Sequence, residues 1–270
     1  MYGGKPVGRG SLTERAPHRA PDQLRTRRAR GARNAVEKLE LLAAEIHLGP
    51  AHGVIIHHYP PGRCPAPRPR YARPVPTHPI VQIGHPTLRA RAREVTAAEL
   101  ATPELHRICA DLVETMRAAN GAGLAAPQVD LPLRIFAVEV GDNPRYPYKP
   151  RLGLRVLVNP VVRPVSEETY ASYEGCLSIP GLRGLLPRHT EVEVTYLDPD
   201  GHEHVERFGG LSAGTMQHEL DHLDGILFPD RVEDPSTLCT WEMFRAFHQD
   251  AWVESIQPLL ERFPGEPVDV

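Results

Sequence analysis

The chain is organised around the stretch QHELDHLDG, residues 217–225. If this stretch is helical, His218 and His222 stand one turn apart on one face, so both imidazoles can bind a single metal ion. Glu219 lies beside them, where its carboxylate can take a proton from a water on that metal. The H-E-x-x-H pattern is typical of zinc peptidases, although a chance pair of histidines on a solvated helix has the same spacing. The stretch predicts a helical metal site if other segments supply the rest of it.

Charge divides the chain into two parts. Residues 1–77 carry 14 Lys and Arg against 5 Asp and Glu, a balance of +9, whereas residues 78–270 carry 17 against 29, a balance of −12. We expect residues 1–77 to be a disordered basic extension rich in Pro and Arg, with one short helix over 35–48. Two functions are compatible with this composition: the extension binds nucleic acid, or it is an organelle transit peptide. We expect residues 78–270 to form one globular domain.

The cysteines and the hydropathy pattern indicate the compartment. The four cysteines have no paired spacing, in a chain long enough to fold without disulfides,. No apolar run approaches the roughly 18 residues that span a bilayer, and the start lacks the apolar core of a secretory signal. We therefore expect a soluble protein in the reducing cytoplasm, with no membrane partner.

The globular part shows short strands separated by helices. The predicted helices are 103–120, with Thr102 as the N-cap, then a helix from about Leu211 to Asp224, and a last one from about Ser236 to Arg262. The predicted strands are 133–140, 155–159, and a hairpin of 191–197 with 202–208. This order favours an α+β fold, in which antiparallel strands pack around the central helix with the metal motif and a C-terminal helix follows.

A catalytic metal site needs a third protein ligand and an open position. The candidate ligand is Cys176, in the segment EGCLS at residues 174–178. An arbitrary buried cysteine is more often a small core residue. Here, however, Leu177 and Ser178 offer backbone N–H groups beside the thiol. A thiolate with two imidazoles suits Fe(II), Zn(II) or Co(II).

A third segment of interest is GAGLAAPQ, residues 121–128. Its two glycines permit a ligand to approach the backbone closely. The side-chain amide of Gln128 can donate a hydrogen bond to a developing oxyanion. An ordinary helix-ending loop is the alternative, because the segment lacks the context of a phosphate-binding loop.

Taken together, GAGLAAPQ, EGCLS and HELDHLDG resemble the three motifs of the peptide deformylase family, in the same order and with fitting spacings. The resemblance covers roughly residues 78–262. It departs from the usual pattern at Ala122, where the family has Ile or Val, and at residues 212–215, which are smaller and more polar than usual. The basic extension has no counterpart in the family core, so it inherits no function.

The resemblance implies a hydrolase that removes the N-formyl group from the N-terminal methionine of nascent polypeptides and releases formate. Cys176, His218 and His222 would hold one metal ion per chain. That ion would be Fe(II) in the cell, with Zn, Ni or Co as replacements. The basic extension suggests, from its charge alone, association with the ribosome.

The resemblance also implies the roles of other site residues. Glu219 would act as general base and then as general acid. The Gln128 amide and the Leu177 backbone N–H would stabilise the oxyanion. Gly123 would pair with the substrate backbone as with an added strand, and Glu174 is assigned with it to the substrate site.

The helix face of His218 predicts the substrate pocket. Leu211 and Gly214 stand seven and four residues before His218, so they share its face and should border the methionine cavity. The alternative for Gly214 is that it only lets a neighbouring element pack closely.

Two other functions are open at this stage. A zinc endopeptidase would need a downstream ligand, and His248 is the only histidine that follows the motif in the sequence. A structural zinc site would need four protein ligands, whereas the motifs supply three and a carboxylate placed for acid–base chemistry.

Overall fold

The computed structural model describes residues 77–143 and 146–266. The predicted helix over 35–48 and the rest of the basic extension up to residue 76 lie outside these residues. The described part is a mixed α+β structure with two antiparallel sheets and a helical C-terminal segment, as the sequence predicted. Among the described residues, no helix is long and apolar enough to cross a membrane.

The first helix, α1 (Pro103–Ala118), begins at its predicted residue. The Thr102 hydroxyl accepts a hydrogen bond from the Leu105 backbone N–H at 3.2 Å. Pro103 fills the first turn, where a backbone N–H would have no helical partner,. The helix ends at Ala118, two residues before the predicted end at Asn120. Asn120 has a φ of 51°, a left-handed conformation that is typical of the residues that follow a helix,.

Eight strands are assigned within the described residues. They are β1 (Gly123–Ala125), β2 (Ile135–Val140), β3 (Leu152–Pro164), β4 (Thr169–Cys176), β5 (Ile179–His189), β6 (Glu191–Leu197), β7 (Glu203–Gly209) and β8 (Cys239–Thr240). All strand pairs are antiparallel.

The larger sheet has the order β1-β2-β3-β6-β7, with β1 at one edge. The predicted hairpin is confirmed as β6–β7, since Val192, Val194 and Tyr196 alternate and point into the core,. Strand β3 extends beyond both ends of the predicted segment 155–159. It continues through an irregularity in its pairing with β6, where Asn159 has a φ of 52°,.

The smaller sheet has the order β4-β5-β8, and the sequence patterns predicted none of its strands. Strand β4 was not predicted because its inward-facing residues are mostly polar, so the sequence shows no alternation of apolar residues. Strand β5 contains two prolines and two glycines, which normally argue against a strand,. The two strands form a hairpin that turns at Leu177–Ser178, directly after Cys176.

The second helix, α2 (Gly210–Leu223), carries His218, Glu219 and His222, and it starts one residue before the predicted Leu211. One face contributes Ala213, Met216 and Leu223 to the core beneath the larger sheet. The opposite face presents His218 and His222 to the end of β4. The helix therefore fixes the distance between the core and the β4–β5 hairpin.

The predicted C-terminal helix is confirmed, although it begins at Trp241 instead of about Ser236 and contains a π-helical turn. Residues 235–237 form a 3₁₀ turn capped by Asp234, and β8 then pairs with β5. The helical part consists of α3 (Trp241–Met243), a π-helical turn (Phe244–His248), α4 (Gln249–Ser255) and α5 (Gln257–Arg262). Phe244, Trp252 and Ile256 bury their side chains with Leu211 of α2, which holds this segment beside the pocket described below.

Candidate active site

Strand β4 aligns four side chains along one wall of a pocket. Residues two apart on a strand face the same side. Tyr170, Ser172, Glu174 and Cys176 accordingly all line the pocket, with α2 opposite them. The row leads from the β4–β5 turn towards the C-terminal segment.

The three predicted metal ligands meet at the Cys176 end of this row. The candidate ligand atoms of Cys176, His218 and His222 all lie within 4.8 Å of one another. Cys176 Sγ is 3.2 Å from Nε2 of His222. The two imidazole rings have centroids 5.0 Å apart and are nearly perpendicular. Their position on adjacent turns of α2 is the one that the i,i+4 spacing predicted.

The surroundings of Cys176 favour its thiolate. Burial by itself raises the pKa of this thiol, but the charges and hydrogen bonds of His222 and His218 outweigh that effect and hold the pKa well below its usual value,. The Ser178 backbone N–H and the Gln128 amide each approach Sγ at 3.4 Å. A thiolate beside two imidazoles is a donor set that fits a divalent transition metal.

Glu174 connects the ligand His218 to a buried ion-pair network. Its carboxylate accepts a hydrogen bond from Nδ1 of His218 at 2.8 Å, which leaves Nε2 of that imidazole available as a metal ligand,. Arg188 binds both oxygens of Glu174, at 2.7 and 2.9 Å, and also binds Asp221 at 2.7 Å. Although burial opposes it, Arg188 is the main reason why the pKa of Glu174 is held below its usual range. Arg231 completes the network by binding Asp221.

Glu219 is a polar residue of the pocket with an unpartnered carboxylate oxygen. Its side chain is buried, and Oε2 has no hydrogen bond within the part of the chain that the structure describes. Burial raises the pKa of this carboxyl, and the nearby imidazoles of His218 and His222 oppose the shift. The carboxylate lies against Gly123, where any Cβ would collide with it. Gly123 is thus required by the position of Glu219, which the sequence did not indicate.

Gln128 and Leu177 complete the metal end of the pocket. Oε1 of Gln128 accepts a hydrogen bond from the Ala125 backbone N–H at 2.8 Å. This contact orients the amide so that its NH₂ group faces Cys176 and lies 3.2 Å from the hydroxyl of Ser178. The orientation leaves a donor directed at the centre of the site.

The structure also brings the predicted substrate-side residues into this pocket. Leu211, Gly214 and Thr215 line it from α2, one and two turns before His218. Both carboxylate oxygens of Glu174, which the sequence assigned to the substrate site, are engaged by Arg188 and His218. That geometry supports a role in positioning the imidazole.

Sequence reasoning missed several residues of the pocket. Those that line it are mainly aromatic side chains from distant segments, together with one cation: Tyr146, Tyr148, Lys149, Tyr170, Tyr173 and Trp252. Arg188 was also missed, and it does not line the pocket but holds Glu174 and Asp221 in the ion-pair network. For Tyr170, the two-residue spacing back from Cys176 was an available signal. The others reach the pocket only through tertiary packing, and no local pattern marks them.

Comparison with known proteins places this geometry in a family. The sequence model of the family described as Polypeptide deformylase matches residues 77–237. Peptide deformylase 2 of Nostoc sp. is 42% identical over 167 residues, which are 62% of this chain and 92% of the relative. Peptide deformylase 1 of Bordetella pertussis is 45% identical over 159 residues, or 58% of this chain and 88% of the relative.

A solved structure agrees with the sequence relatives. The crystal structure of a class I type b peptide deformylase from Acinetobacter baumannii, bound to Met-Ala-Ser, has a TM-score of 0.57 and 39% sequence identity. The match covers 58% of this chain and 99% of the Acinetobacter baumannii chain. The matched part of this chain contains all three motifs, and the chain belongs to the peptide deformylase family.

Proposed function

We propose that this protein is a peptide deformylase, a metal-dependent hydrolase that removes the N-formyl group from the N-terminal methionine of nascent polypeptides. The observation that carries the proposal is the pairing of two features in one pocket. The candidate ligand atoms of Cys176, His218 and His222 converge within 4.8 Å. Beside them, Glu219 holds a buried carboxylate oxygen without a partner. The family supports the same reaction.

Cys176, His218 and His222 are proposed to hold one divalent ion. The convergence of a thiolate and two imidazoles supports this assignment, and Glu174 supports it by fixing the tautomer of His218,. We propose Fe(II) as the ion in the cell, with Zn, Ni or Co able to replace it. When bound, such an ion supplies Lewis acidity and lowers the pKa of water.

Glu219, Gln128 and Leu177 are proposed to perform the proton transfer and the charge stabilisation. Glu219 takes a proton from the attacking water at its unpartnered Oε2 and delivers it to the leaving amine nitrogen,. The Gln128 amide and the Leu177 backbone N–H donate to the oxygen of the formyl carbonyl. Each such donor contributes about 2.7–4 kcal/mol of transition-state stabilisation in comparable sites.

Strand β1 is proposed to bind the substrate backbone. It is an edge strand of the larger sheet, so one side of its backbone is not paired within that sheet. Gly123 has no side chain, so the backbone at this edge lies directly against the carboxylate of Glu219. An extended peptide added to β1 would therefore bring its N-terminal end to the proposed base.

Formate release from formyl-Met-Ala-Ser tests the proposed function. Formate and Met-Ala-Ser should appear in equal amounts, a chelator should abolish the reaction, and added Fe(II) without oxygen should restore it. Cleavage of an internal peptide bond would instead indicate an endopeptidase. A tightly bound metal with neither reaction would indicate a structural zinc protein. Within the described residues, His248 is not part of the ligand group, which leaves the endopeptidase without its expected third ligand.

Residues 1–77 are proposed to be separate from the catalytic domain, 78–270, and to aid docking on ribosomal RNA in the cytoplasm. Their balance of +9 supports binding to phosphates,. Deleting them should leave kcat/KM for a formyl tripeptide unchanged and should abolish salt-sensitive co-sedimentation with ribosomes. Co-sedimentation that is insensitive to both the deletion and salt would overturn the docking role.

A further inference from the structure

The hydroxyl of Tyr170 is a buried polar group that the proposed reaction does not use. Its oxygen is inaccessible to solvent and has no hydrogen-bond partner of acceptable geometry within the described residues. Burial raises the pKa of Tyr170, and hydrogen bonding with the Ser172 hydroxyl lowers it only in part; that contact falls outside the geometry of an ordinary hydrogen bond. The phenol therefore stays protonated, and its O–H group can donate a hydrogen bond. A buried hydroxyl without a partner is unfavourable, so such a group is normally satisfied by an ordered water or by a ligand.

Gly214 shows where this hydroxyl lies. A Cβ on Gly214 would collide with the Tyr170 oxygen, so the phenol reaches across the pocket to the backbone of α2. Gly214 is one helical turn before His218, roughly 6 Å along the axis. An unbranched side chain that starts beside His218 can cover this distance.

Part of the wall beside the hydroxyl is apolar or aromatic. Tyr170 packs in the cluster that contains Leu211, Trp252 and Tyr148, and all four side chains line the pocket. Such walls accept a side chain that is apolar along its length. The Tyr170 hydroxyl adds one donor, and the ligand that would satisfy it is an apolar side chain carrying a single weak acceptor. The methionine thioether has that chemistry, because its sulfur accepts but cannot donate.

We propose that the Tyr170 hydroxyl donates a hydrogen bond to the sulfur of the substrate's N-terminal methionine, which makes Tyr170 a specificity-determining residue. The inference rests on the proposed function and adds how the methionine is distinguished from an apolar side chain of the same shape. Norleucine is the matched probe, since it carries a methylene in place of the sulfur.

The test compares formyl-Met-Ala-Ser with the same peptide carrying formyl-norleucine. Wild-type protein should favour the methionine peptide by roughly threefold to tenfold in kcat/KM, the range of one net hydrogen bond. Tyr170→Phe should bring the ratio close to one, mainly by lowering kcat/KM for the methionine peptide. A ratio that Tyr170→Phe leaves unchanged, or a wild type without preference, would overturn the inference.

Two further measurements keep the test independent of folding and of activity. Ser172→Ala removes the neighbouring hydroxyl and should keep the preference for methionine. Loss of the preference in this variant but not in Tyr170→Phe would show that Ser172, and not Tyr170, contacts the sulfur. Calorimetry of Met-Ala-Ser and its norleucine analogue should give the same ratio in binding. If wild-type protein releases no formate, the proposed function fails, and the binding ratio still decides the role of Tyr170.

Discussion

The two ends of the pocket are built by different means. At the end formed by Cys176, His218 and His222, charged groups are held by ion pairs and hydrogen bonds that continue through Glu174 and Arg188. At the end formed by Tyr170 and Gly214, aromatic side chains from separate segments pack together around one hydroxyl without a partner. The first arrangement fixes atoms for chemistry, whereas the second provides shape with a single polar contact.

The two ends should respond differently to substitution. Changes at the metal end should alter the rate, the metal content or the stability of the fold, because each group there supports the next one. Changes at the aromatic end should alter the choice of substrate and leave the metal in place. The following predictions test that division.

The largest effect is expected for Glu219→Gln. The amide keeps the shape of the side chain but cannot accept the proton, so kcat should fall by about 10²–10⁴ while the metal content stays at one ion per chain. Steady-state formate release and elemental analysis on the same preparation measure both quantities. Turnover near that of the wild type would show that Glu219 does not transfer the proton. It would also contradict the chemical role given to the metal end of the pocket.

Arg188→Met should have the next largest effect, now on stability. Arg188 is almost fully buried between Glu174 and Asp221, so its loss leaves Glu174 without its main cationic partner and removes one of the two arginines that bind Asp221. The free energy of unfolding should fall by about 3–5 kcal/mol. Urea unfolding with a chelator present measures this without the contribution of bound metal.

The matched control for this change is Arg207→Ala. Arg207 pairs with Glu193 at 3.3 Å on the solvent-exposed side of β6–β7. Removing such a pair should change the free energy of unfolding by no more than about 1 kcal/mol. Equal effects of the two substitutions would show that the buried network has no special weight in the fold.

A smaller effect is expected for Gly214→Ala at the aromatic end. The new methyl group displaces the Tyr170 hydroxyl, so kcat/KM should fall by the equivalent of about 1–3 kcal/mol, mostly through KM, with metal content unchanged,. A formyl-norleucine peptide isolates this packing effect from the proposed contact with sulfur. The double variant with Tyr170→Phe removes the colliding oxygen and should recover part of the loss, whereas strictly additive losses would contradict the packing account.

The same division explains what the sequence could predict. The Thr102 cap, the β6–β7 hairpin and the spacing of His218 and His222 are local patterns, and the structure places them where those patterns predicted. The β4–β5 hairpin was missed for two reasons. The inward side chains of β4 are mostly polar, which hides the alternation that marks a strand, and β5 contains prolines and glycines that argue against one. Those polar side chains face inward because they line the pocket.

The aromatic end was beyond local patterns for a different reason. Trp252 and Tyr148 reach Tyr170 from segments far apart in the chain, and only the packing of the C-terminal segment on α2 brings them together. The reason for Gly214 was likewise invisible, since the residue that requires it, Tyr170, is 44 positions away in the sequence.

Cys176, His218 and His222 are proposed to hold one metal ion together. The most direct measurement is the absorption spectrum of protein loaded with Co(II), in which a cysteine ligand gives a thiolate-to-cobalt charge-transfer band in the near ultraviolet. Cys176→Ser should abolish that band, and Cys239→Ala, which changes a cysteine outside the ligand group, should leave it intact. A band of unchanged intensity in Cys176→Ser would show that this thiolate is not a ligand and would contradict the account.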